Sequence, residues 1–143
     1  MRARIAVAAV GGLLAVALAT GAPGCGGSEL PLAKVHGKVT YKGKPLEQGQ
    51  VVFIPGTGVL GPSAIGEIAS DGTFRMTTAD QDGAVIGTHK VMVHSRRPLT
   101  DAEKGTLKIT ELLVPAKYAD EQNTPLTCEV KSGDNVLNLE LVD

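Results

Sequence analysis

The chain has 143 residues, 43% hydrophobic and 20% charged, with a formal net charge of −1; this is the composition of a globular protein and not of a disordered one. Near-neutral charge without a basic cluster argues against a nucleic-acid partner, which needs a phosphate-neutralising patch. Aromatics make up 3% with no Trp, while Gly (18) and Pro (8) are numerous, so the expected core is built from Val, Leu and Ile and the chain turns often.

The N-terminus reads as an address. Arg2 and Arg4 precede Ile5–Ala19, an uncharged run of 15 apolar or glycine residues. A membrane-spanning helix needs roughly 20, so a positive segment followed by a shorter apolar one predicts a secretory signal peptide over 1–24. Gly21-Ala22-Pro23-Gly24-Cys25 follows. It resembles a lipobox, in which cleavage precedes the cysteine and the thiol takes a diacylglyceryl group. Ala22 and Pro23 depart from the usual pattern, which has Leu three residues before the cysteine. Lipid on Cys25 is the expected site of attachment, and a lone exposed thiol in an oxidising compartment is otherwise a liability. Cys25 to Leu32 is expected to be a lipidated cysteine and flexible tether, and 33–143 the folded domain.

Alternation then begins. Val35, Gly37, Val39 and Tyr41 share one face and His36, Lys38 and Thr40 the other, the period of a half-buried strand. Lys42-Gly43-Lys44-Pro45 predicts a turn, and Gln50–Pro55 a second strand closed by proline. Ser63–Ser70 is a weaker strand. Asp71-Gly72 predicts a two-residue type I′ hairpin leading into a strand over Thr73–Thr77. Asp80-Gln81-Asp82-Gly83 predicts another turn. Val91, Val93 and Ser95 line the inner face of a strand over Val85–Ser95. Thr100-x-x-Glu103 has capping-box form with Gly105 as a stop, which allows a helix of a turn or two, or a plain loop. Leu126, Cys128 and Val130 point one way, Ser132-Gly133-Asp134-Asn135 predicts a hairpin turn, and Leu137, Leu139 and Leu141 line the last strand. Seven or eight short strands at this spacing predict an all-β antiparallel sandwich with Greek-key connections; a small closed barrel is the alternative.

Candidate chemistry is sparse. Cys128 lies on an apolar phase and reads as a small buried hydrophobe. His36, His89 and His94 lack metal-type spacing, and solvated positions are the preferred reading. Asp80 and Asp82 before Gly83 suggest a calcium loop, but with Gly83 at its sixth position the first and twelfth ligands fall on Thr78 and His89, not on carboxylates. Ser63 and Ser70 lack a GxSxG or other catalytic setting. Neither an enzyme nor a cofactor is expected.

From Val35 onward the order of motifs resembles the carboxypeptidase regulatory-like domain. Val35-x-Gly37-x-Val39-Thr40-x-x-Gly43-Lys44-Pro45-Leu46 is followed by Val51-x-Phe53-x-Pro55, Asp71-Gly72-x-Phe74, Asp82-Gly83-Ala84-x-x-Gly87 and Val91-x-Val93. Val114-Pro115-x-Lys117-Tyr118, Thr124-Pro125-Leu126-Thr127 and Leu139-x-Leu141 complete it. Behind a lipobox, this order is similar to small lipoproteins of planctomycete-type bacteria. The resemblance implies a prealbumin-like or immunoglobulin-like sandwich without a zinc site. One departure is His89, where the family commonly has Tyr. The expectation is therefore a non-catalytic envelope lipoprotein, tied to a membrane through Cys25, with a structural or protein-binding module. Gly26 in place of Asp after the cysteine leans towards an outer-membrane address, facing periplasm or cell surface. A carbohydrate-binding module is the alternative, though it wants aromatic platforms this chain scarcely has. An isopeptide staple between a lysine and Asn135 or Asn138 is a further possibility, and it lacks an evident catalytic Glu.

Overall fold

The inward phase Val35-x-x-x-Val39 organises the longest strand, β1 (Leu32–Tyr41), about which the rest of the chain is built. The computed structural model describes residues 29–143, so the signal peptide, Cys25 and most of the tether lie outside the described residues. The strands that follow are β2 (Lys44–Pro45), β3 (Gln50–Pro55), β4 (Ala64–Glu67), β5 (Thr73–Arg75), β6 (Thr77–Thr78), β7 (Gln81–Asp82), β8 (Ala84–Val85), β9 (Gly87–His94), β10 (Thr127–Val130) and β11 (Asp134–Leu141). Among the described residues a single 3-10 turn spans Ala116–Ala119.

The result is an all-β sandwich. In one sheet β11 flanks one side of β1, while β8, β5 and β2 pair in succession along the other. The second sheet runs β10-β9-β3-β4-β6-β7. One side of the sandwich is closed: an Ile68–Phe74 bridge continues β4 into β5, which pairs with β1. The other side is open between β10 and β11. All ladders are antiparallel except β1–β11, which is parallel over Lys34–Asp134 to Tyr41–Leu141. Parallel pairing requires a long connection, and here it is the chain over 42–133, most of which runs through the second sheet; Ser132-Gly133 is its last step. The expected hairpin there is instead a passage from one sheet to the other, because β10 pairs with β9 and β11 with β1.

Two further turns differ from the sequence reading. At Asp71-Gly72 only Gly72 takes positive φ, at 85°, and Ala69 both donates to the Thr73 carbonyl and accepts from the Gly72 amide. The hairpin is real but is closed by three residues with a glycine bulge, not by a type I′ pair. Two other turns take positive φ at both central residues: Lys42-Gly43, at 50° and 78° between paired Tyr41 and Lys44, and Ala79-Asp80, at 46° and 66° between paired Thr78 and Gln81. The chain therefore turns before Asp82, which belongs to β7.

The core is aliphatic as expected. Val35, Val39, Val51, Val91, Val93, Leu139 and Leu141 meet between the sheets around Phe53, Phe74, Met76 and Tyr118. Each buried aliphatic side chain contributes roughly 1.5–3 kcal/mol relative to exposure, so this cluster, and not the surface ion pairs, holds the two sheets together.

Candidate functional site

The two ends of the sandwich differ. β1 starts at the N-terminal pole, beside the loop over 56–63 and the start of β9. It runs for ten residues, about 30 Å from first to last at strand rise, and ends at the distal pole. There the chain turns through Lys42-Gly43, the 69–72 hairpin packs on β1 through the Gly72 carbonyl, which accepts from the Val39 amide, and a long excursion leaves β9.

That excursion, 95–113, is built from its own sequence. Buried Ser95 donates to the Gln48 carbonyl at 2.7 Å, and Gln48 donates back to the Arg96 carbonyl, fixing the departure. Arg96 bridges Leu112, and the Arg97 amide donates to the Glu111 carbonyl. Thr100 to Gly105 forms one capped turn and no longer helix: the Thr100 amide donates to Glu103 Oε2 at 3.0 Å, and Gly105 at φ 85° stops it. Arg97 clasps the Glu103 carboxylate with both terminal nitrogens, at 3.1 and 3.2 Å, and Lys108 adds a contact at 2.5 Å. Arg97, then Lys108 and the Thr100 amide, hold the Glu103 carboxyl well below the usual carboxylate range. Leu107 and Ile109 stand out from the tip, fully and 79% exposed.

Between this excursion, the 42–48 turn and the 69–72 hairpin opens a cleft of about 810 Å³. Lys38, Lys44 and Arg97 supply cations, Glu47 and Asp71 carboxylates, and Leu46, Pro98 and Leu113 apolar surface. The Asp71 carboxylate accepts from Thr73 Oγ1 at 2.6 Å and from the Thr73 amide at 3.0 Å. Those bonds, aided by the Lys38 charge, lower its pKa. Ser70 also lines the cleft; no histidine does. The arrangement suits recognition of a polar surface by ion pairs and hydrogen bonds over an apolar floor.

The residues singled out in the sequence are dispersed. Cys25 lies outside the described residues. Cys128 is half-buried against the core, and burial pushes its thiol up to about 12, so it is an inert hydrophobe. His36 is half-buried and meets Asp134 Oδ2 at 3.1 Å. His94 is half-buried opposite Gln50. His89 corrects the solvated reading: it is 1% exposed, its ring tilts against Phe53 with centroids 5.7 Å apart, and Nε2 lies 2.6 Å from the Val85 carbonyl. Its parity with Val91 and Val93 carried that signal. Asp82 faces Arg75 at 3.8 Å, and among the described residues no three His, Cys, Asp or Glu side chains converge as a metal site would need.

The isopeptide arrangement is absent from the described residues, whose buried polar side chains are Thr78, His89 and Ser95. Asn135 instead caps the passage between the sheets, donating to the Lys131 carbonyl at 2.7 Å and accepting from the Lys131 amide at 2.9 Å. Asn138 is exposed opposite Lys38. Phe53, Phe74 and Tyr118 are buried, and Tyr41 is half-buried with its hydroxyl on Asp143 at 2.6 Å, so none forms a platform in the cleft.

No family model matches the chain, and no curated protein matches it. Among solved structures it is similar to a DUF3823 family protein from Parabacteroides merdae, at 17% identity and a TM-score of 0.44, over 79% of this chain and 47% of that one. A DUF3823 family protein from Bacteroides ovatus gives 18% identity and 0.46, over 78% and 44%. A leucine-rich repeat protein from Bacteroides thetaiotaomicron gives 14% identity and 0.36, over 78% of this chain and 12% of that one. The chain spans about half the length of the two DUF3823 proteins.

Proposed function

We propose that the chain is a non-catalytic, lipid-anchored envelope protein whose sandwich holds its distal cleft out to a protein partner. The observation that carries this reading is the polarity of the molecule. The chain arrives at one pole, four residues after Cys25, and the broad cleft opens at the other, beyond β1. An anchor on Cys25 therefore leaves the cleft and the 95–113 excursion facing away from the membrane. The motif order from Val35 to Leu141 supports placing the domain beside the carboxypeptidase regulatory-like sandwiches, where such domains accompany other functions without chemistry of their own. Gly26 after the lipidated cysteine supports an outer-membrane address. Sugar binding is the weaker alternative, because the cleft offers no aromatic ring for a pyranose to stack on.

The test is the intact mass of protein extracted from membranes, beside a Cys25→Ala variant. The expected species begins at Cys25 and carries acyl chains, and the variant loses both the modification and the membrane. An unmodified soluble product overturns the reading. For the cleft, a photocrosslinker in place of Glu47 is expected to trap a discrete protein in intact cells, while one in place of Val136, on the outer sheet face, traps none. Equal trapping at both positions removes the cleft from the proposal.

A further inference from the structure

The N-terminal pole carries an apolar patch of its own. Leu60 stands 86% exposed at the tip of the 56–63 loop, and Ile86, between β8 and β9, is 38% exposed. The residues beside them bring their loops together. Gly61 sits so close to Leu30 and Val85 that an added Cβ would lie 3.6 Å from Leu30 Cδ2 and 2.7 Å from Val85 Cγ2. Val59 packs over Gly87 in the same way, 2.5 Å from the equivalent point. The Ile86 amide donates to the Pro31 carbonyl at 2.8 Å, tying the patch to the arriving chain. Leu30, Val59, Leu60 and Ile86 thus surround the place where the chain comes in.

The length of chain before that place decides what covers the patch. Three residues, Gly26 to Ser28, separate Cys25 from Glu29, a reach of at most about 14 Å. A diacyl group on Cys25 would hold this pole within that distance of the bilayer. We infer that Leu60, with Ile86 and Leu30 around it, rests in the interfacial layer of the membrane and sets the sandwich upright on its anchor. The inference rests on the lipidation reading. Glu29, Asp80, Asp82 and Asp134 still outnumber Lys34, Arg75 and Lys131 near this pole, so the contact is apolar and does not depend on anionic lipid.

The absence of Trp from the sequence makes the test direct. Leu60→Trp and, at the opposite pole, Leu107→Trp each place one indole on an exposed loop. Both full-length variants are expressed as wild type, extracted, and reconstituted into phosphatidylcholine vesicles with and without bromine near the headgroup end of the acyl chains. Bromine is expected to quench the Leu60→Trp emission at least twofold, with a blue shift that persists in high salt, and to leave Leu107→Trp unchanged. Vesicle-bound, acylated protein whose Leu60→Trp emission is unquenched overturns the inference alone. That holds whether the indole is in water or is blue-shifted under a second copy of the chain or another protein. Quenching at Leu107→Trp instead also overturns it. Protein without acyl mass overturns the anchor reading, and this inference with it.

Discussion

Tyr118 and Val142 share a two-way hydrogen bond: the Tyr118 hydroxyl donates to the Val142 carbonyl at 2.9 Å and accepts from the Val142 amide at 3.0 Å. The ring is 2% exposed on the 3-10 turn that leads back from the distal excursion, so one side chain joins that return to the end of β11. Tyr118→Phe keeps the ring and loses both bonds, leaving a backbone pair without its partner. The expected cost is about 1–3 kcal/mol, read by urea denaturation. An unchanged midpoint would show that water replaces the hydroxyl.

Gly37 permits the parallel pairing of β1 with β11. It lies opposite Leu137, and an added Cβ would fall 1.7 Å from the Leu137 carbonyl oxygen. The obstacle is backbone, so the strands must separate. Gly37→Ala is expected to cost about 3 kcal/mol or more, with loss of amide protection along β11. A loss below about 0.5 kcal/mol, the ordinary range for surface changes, would contradict this account.

Glu103 orders the distal excursion. Its folded pKa is depressed, so its contribution is present above the unfolded value of about 4.3 and is lost as pH falls through the folded one. The excursion should therefore keep its order through mildly acidic pH and loosen in strong acid. Glu103→Gln removes the charge at every pH. At neutral pH it should speed hydrogen exchange at the Thr100 amide and proteolysis within 98–111, leaving the sandwich midpoint unchanged. Identical exchange in both proteins would sink the idea.

Cys128 has the opposite sign. Burial raises its thiol to about 12, so between the unfolded value of about 8.5 and 12 the folded state binds more protons and stability falls as pH rises. In a Cys25→Ala chain Cys128 is the one remaining thiol. At pH 8 it should react with a disulfide reagent at least about 100-fold more slowly than free cysteine. Cys128→Ala should flatten the alkaline slope. Rapid labelling of the native chain would show that the thiol is not held in the core.

The residue periods determined much of this molecule. Val35 and Val39, Leu126, Cys128 and Val130, and Leu137, Leu139 and Leu141 declared their strands and inner faces through alternation alone, because side chains in a strand alternate with a period of two and water divides the faces. Gly43 and Gly72 marked turns for the same local reason: each has positive φ, which costs other residues. Tertiary structure decided what local chemistry could not. It made β11 run parallel to β1 and turned Ser132-Gly133 into a passage between sheets, since a turn sequence sets the bend and not the sheet the next strand joins. It buried His89 against Phe53, where parity offered the hint but only packing supplied the partner. It also gathered Lys38, Lys44, Asp71 and Arg97 around one cleft and Leu30, Leu60 and Ile86 at the opposite pole, because residues so far apart along the chain meet only when the two sheets close on a shared core.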